Sequence, residues 1–84
     1  MLEREVIKTA KDKDGEIVAL CNQFKGWSPV SKEEAIKQIE SKLYTYFVEL
    51  TNLGRVHIHV VDGKYLRTDL DRTTRNNLKD LPNC

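Results

Sequence analysis

Between residues 55 and 61 the chain alternates without a break. Val56, Ile58 and Val60 are aliphatic; Arg55, His57 and His59 are polar. A period of two predicts a strand with one buried and one wet face. The run 44–50 alternates as well, with Tyr44, Tyr46, Val48 and Leu50 on one side and Thr45, Phe47 and Glu49 on the other. Residues 51–54 (TNLG) predict a turn between the two runs. Downstream, Val61-Asp62-Gly63 turns the chain into a further strand over 64–68. A two-residue Asp62-Gly63 loop would set Ile58 opposite Arg67 and place charges on the buried side. A three-residue loop, Val61 to Gly63 with Gly63 left-handed, sets Ile58 opposite Leu66 and Val56 opposite Thr68. Burying an unpaired charge is costly, so the second register is preferred. It places Leu66 in the core. Arg55, His57, His59, Tyr65, Arg67 and Asp69 then share the opposite face.

The first half reads as a hairpin and a helix. Residues 4–9 and 16–22 have strand character, and Asp14-Gly15 between them is a turn signal. The loop 23–30, broken by Gly26 and Pro29, carries Phe24 and Trp27, both large enough to anchor it on the core. Ser31 and Glu34 form a capping box, with Val30 and Ala35 as its hydrophobic staple, and predict a helix over about residues 32–42. Ile36, Ile39 and Leu43 give that helix one apolar stripe. The tail, 69–84, is polar except for Leu70, Leu78 and Leu81, which a solvated tail would not need. It is expected to pack back on the domain until Pro82 ends it. The expected fold is α+β, one domain over 1–84. It has an antiparallel sheet of four or five strands in the order β-β-α-β-β-β, one helix on one sheet face, and an ordered C-terminal segment.

The length, 84 residues, narrows the function classes. Such a chain buries roughly 60–65% of its unfolded surface, so a site is expected on a face or in a shallow groove. Fourteen basic against thirteen acidic residues give a net charge of +1, which supplies no general attraction to nucleic acid or membrane. No stretch approaches the ~20 apolar residues of a membrane span. The two cysteines, Cys21 and Cys84, fall outside any C-x-x-C spacing. A disulfide between them is possible, but a reduced, cytoplasmic protein is the simpler expectation.

The runs DGEIVALCN (14–22), WSPVSKEEAIKQIE (27–40), GKYLRTDLD (63–71) and NNLKDLP (76–82) carry a resemblance. With them the chain resembles a small bacterial family catalogued only as a domain of unknown function, over residues 5–82. YLRT and NNLKDLP are its most specific parts; the capping-box helix is generic. The resemblance implies a free-standing bacterial domain and brings no activity with it.

Candidate chemistry concentrates on the polar sheet face. His57 and His59 project from one side of one strand, about 7 Å apart, as in some metal sites. Asp69 and a distant cysteine are the only further ligands in view, which leaves the pair as two surface histidines. Phe47, His57, His59, Tyr65 and Arg67 mix rings with cations, as single-stranded nucleic-acid binders do, yet no RNA-binding signature accompanies them. Arg67 suits a bidentate pair with a carboxylate, and Tyr65 to Asp69 also read as a structural network. Catalysis finds no motif. Ser31 is committed to its cap, Cys21 reads as a small core hydrophobe and Cys84 as a mobile terminal residue. The glycines at 15, 26, 54 and 63 form no phosphate loop. The expectation is a non-enzymatic binding or accessory module without a cofactor, acting through a protein partner or self-association. The alternative is nucleic-acid binding at Phe47, His57, His59, Tyr65 and Arg67.

Overall fold

The computed structural model describes residues 2–50, 54–68, 78 and 81–84. Its elements are β1 (Leu2–Glu5), β2 (Lys8–Lys11), β3 (Ile17–Cys21), β4 (Val30–Ser31), α1 (Lys32–Glu40), β5 (Tyr44–Leu50), β6 (Gly54–Val61) and β7 (Tyr65–Thr68). The α+β class and the helix against a sheet are as the sequence implies. The strands, however, form two sheets. One has four strands in the order β1-β5-β6-β7, and the other three in the order β2-β3-β4. The larger sheet is mixed, because β1 runs parallel to β5.

This corrects the first hairpin. The run 4–9 is not one strand; it divides at Val6-Ile7 between the two sheets. Val6 N–H donates to Phe47 O in the larger sheet (2.8 Å), and Ile7 N–H donates to Cys21 O in the smaller one (3.0 Å). Asn22 holds the crossing. Its buried Nδ2 donates to Glu5 O, its N–H donates to Ser28 Oγ, and its Oδ1 accepts from Phe24 N–H. The expected Asp14-Gly15 turn does join β2 to β3. Gly15 has φ +81°, and Asp12 Oδ1 accepts from the N–H groups of Asp14 and Glu16.

The helix begins as its capping box requires, with Glu34 N–H donating to Ser31 Oγ at 3.1 Å. It ends two residues early. Lys42 takes φ +62°, and Lys42 and Leu43 N–H donate to the Ile39 and Gln38 carbonyls. This is a Schellman end built without glycine. Leu43 therefore leaves the helical stripe and is exposed, contrary to expectation, while Ile36 is buried and Ile39 packs against the core. In the loop before it Trp27 packs on the core, but Phe24 points to solvent at 77% exposure, so only one of the two anchors holds.

One core joins both sheets and the helix: Val6, Leu20, Val30, Ala35, Tyr46, Val48, Val56, Ile58, Leu66 and Leu78 are among its buried members. Leu66 is inside, and Gly63 is left-handed at φ +66°, as the sequence requires. The pairing differs by two positions. Asp62 is also left-handed at φ +57°, so the three-residue loop is Asp62 to Lys64 and Val61 pairs with Tyr65. Val60, not Ile58, then faces Leu66, and Ile58 faces Thr68. A two-residue slip preserves the faces, so the separation of apolar from polar survives.

The C-terminal segment is part of the fold. Leu78 is fully buried, and Thr9 Oγ1 donates to its carbonyl at 3.0 Å. Thr9 N–H donates to Pro82 O, and Cys84 N–H donates to Thr9 O, so residues 82–84 lie along the outer edge of β2. Lys11 Nζ adds bonds to Leu81 O and Asn83 Oδ1. Cys84 is thereby brought to Cys21, with 6.4 Å between their Cα atoms, and the two form a disulfide. The expectation of reduced cysteines with a mobile Cys84 is overturned, because Thr9 docks the segment against the β2–β3 hairpin.

Candidate functional site

The face of the larger sheet turned away from the core is assembled by register. Glu5, Phe47 and His57 form one row across β1, β5 and β6. Glu49 lies opposite Arg55, and His59 lies opposite Arg67. Of the residues expected on this face, Phe47, Arg55, His57, His59 and Arg67 come together. Tyr65, 39% exposed, also lines a groove toward α1, with Lys32, Glu33 and Lys37. Asp69 lies outside the described residues, as do most of the 51–54 turn, Leu70, Asn76 and Asn77.

Glu3 is the centre of this face, and sequence reasoning missed it. Its carboxylate accepts from Arg55 Nη1 at 2.8 Å and lies 2.6 Å from His57 Nε2. The hydrogen bond with His57, aided by the Arg55 charge, holds the Glu3 carboxyl below its ordinary 4.5. Arg55 also reaches Glu49 at 4.0 Å and lies flat over Phe47, its Cζ 4.1 Å from the ring centroid. That stacking explains why Phe47 is only 7% exposed on a polar face. The alternation of LERE would put Glu3 and Glu5 on one side, but only the parallel pairing with β5 says which side.

At the same edge, on the inner side, Arg4 sits among rings. Its Cζ is 3.5 Å from the Tyr44 centroid and 5.4 Å from that of Trp27, and Nη1 donates to the Tyr46 hydroxyl. Tyr46 in turn donates to Gln38 Oε1, and burial pushes its phenol pKa up. A separate shallow trough of about 550 Å³ lies on the smaller sheet, floored by Ala10, Ala19 and the Cys21–Cys84 bridge, with Lys8 and Gln23 at its rim.

Among the described residues no three His, Cys, Asp or Glu side chains are grouped as metal ligands would be. His57 turns its Nε2 to Glu3, and His59 is engaged as well. No helix among the described residues is long and apolar enough to cross a membrane. Neither curated proteins nor solved structures give a match. A family profile does match, over residues 5–82, in agreement with the runs quoted above. The chain therefore belongs to the family described as protein of unknown function (DUF3892).

Proposed function

We propose that this domain is a non-enzymatic binding module whose outer face on the larger sheet, centred on Glu3, Arg55, His57, His59 and Arg67, contacts another protein. The observation that carries the reading is the make-up of that face. Glu3, Glu49, Arg55 and His57 interleave both signs of charge, each with 38–50% of its side chain exposed. They are mounted on three neighbouring strands of a four-stranded hydrogen-bonded sheet, a rigid platform. Mixed charge on a rigid surface suits the polar contacts that fix register and partner choice between proteins. Single-stranded nucleic acid is served less well, because base stacking needs open rings and Phe47 lies under Arg55.

Chemical cross-linking of the purified chain in extracts of its source cells tests this. Adducts should map to the outer face and disappear in an Arg55→Glu/Arg67→Glu variant that keeps its fold. Adducts unchanged in that variant overturn the reading. So does tight binding of a single-stranded oligonucleotide with a steep salt dependence. A solution mass twice the chain's 9.7 kDa, lost in the same variant, identifies the partner as a second copy.

A further inference from the structure

We propose that the outward edge of β1 accepts an extended segment of a partner protein as an added strand, and that this segment sets a cation opposite Glu5. The inference rests on the protein-contact reading and names the docking mode.

In a parallel ladder alternate residues turn their N–H and C=O groups toward the neighbouring strand. Val6 N–H bonds to Phe47 O, so Leu2 and Arg4 bond inward to β5, and Glu3 and Glu5 face outward. The Glu5 carbonyl is already taken by Asn22 Nδ2, which fixes this edge in place. The N–H and C=O of Glu3 and the N–H of Glu5 have no partner among the described residues. An antiparallel strand opposite Glu3 would use all three. The chain treats its other sheet differently: residues 82–84 lie along the outer edge of β2 and satisfy Thr9 there. Native proteins guard open edges with short strands and charged side chains, and LERE is both short and charged, so this edge admits a segment by charge rather than any strand.

A groove of about 460 Å³ runs beside the edge, lined by all four β1 residues with Lys25 and Trp27. Its inner side offers Leu2, 69% exposed, and the indole. Arg4 keeps its charged guanidinium on this inner side, among Trp27, Tyr44 and Tyr46, on the opposite face from the Glu5 carboxylate. On the outer side the Glu5 carboxylate makes no ion pair among the described residues, whereas that of Glu3 is turned across β5 to Arg55 and His57.

This pattern selects the occupant. Residues opposite one another in an antiparallel pair project to the same face. A second copy of β1 related by a two-fold axis would place Glu3 against Glu3 or Glu5, and like charges directly opposite are destabilising. A segment with Lys or Arg opposite Glu5, and apolar residues toward Leu2 and Trp27, matches both sides. This is strand addition, in which backbone bonds give affinity and alternate side chains give specificity.

Two eight-residue peptides, one alternating Lys and Val and one alternating Glu and Val, test the proposal against the intact chain. Binding is read by fluorescence anisotropy and by amide chemical shifts. The Lys-Val peptide should bind roughly three- to tenfold more tightly and shift the Glu3 and Glu5 amides. N-methylation of its alternate amides should abolish binding, and Glu5→Lys should erase the preference between the peptides. Equal binding of the two peptides, shifts confined to other strands, or undiminished binding after N-methylation each overturns the inference. If the Lys-Val peptide fails while outer-face cross-links persist, strand addition falls alone. If the cross-links fail too, the broader reading falls with it.

Discussion

Tyr46 shows how a single side chain ties three elements together. Its ring is fully buried on β5, and it makes an edge contact with Trp27 at 5.6 Å between centroids. Its hydroxyl accepts from Arg4 on β1 and donates to Gln38 on α1. Tyr46→Phe keeps the shape and removes both bonds. Gln38 Oε1 and one Arg4 N–H then lose their partner in a part-buried site, which should cost about 1–3 kcal/mol. Urea unfolding measures this, and an unchanged midpoint would show that water replaces the hydroxyl without loss. Alternation alone put Tyr46 on the core side. Its partners were not legible, because Arg4 and Gln38 reach it through tertiary placement. Phe47 misled for the same reason: the pattern put it on the wet face, correctly, but not the guanidinium that covers it.

At the scale of the element, β1 is the instructive strand. It has four residues and meets the sheet on one side only, and Glu3 reaches across β5 to clamp it to β6. The lowered Glu3 pKa gives that clamp a sign. A depressed pKa means that the folded state holds fewer protons than the unfolded one. The contribution is therefore fully present above about pH 4.5 and is lost as pH falls through the lower folded value. Protection of the β1 amides from hydrogen exchange should weaken over that acid range and should become pH-independent there in Glu3→Gln. Equal protection in both proteins would remove Glu3 from the attachment of β1. Strand β6 and helix α1 were legible because alternation and a capping box are local signals. The division of residues 4–9 was not: REVIKT is continuous in strand character, and the feature that splits it, Asn22 bonding to Glu5 O, lies 17 positions away. The β6–β7 faces were legible because burial selects them. The exact pairing was not, because a second left-handed residue, Asp62, moves the loop by one position.

At the scale of the molecule, the disulfide joins positions 63 residues apart. Closing a loop of that length in the unfolded chain is worth about 4 kcal/mol in the chain-entropy picture, a large part of the stability of a domain this small. Reduction should lower the thermal midpoint by roughly 15–30 °C. Cys84→Ser should match the reduced protein and ignore reductant; identical midpoints with and without reductant would refute the contribution. Two cysteines at that spacing carried no sequence signal of pairing, since their approach depends on Thr9 binding the segment at 82–84. The parallel pairing of β1 has a consequence in time. Arg4 and its partner Tyr46 are 42 positions apart, and a ribosome adds about 5–20 residues per second. For roughly 2–8 seconds after β1 is made, the strand that will accept it does not exist. The β2–β3 hairpin and the capped helix can form in that interval from local contacts. Strand β1 cannot, so in every newly made molecule it waits for β5 while the hairpin and the helix between them are already complete.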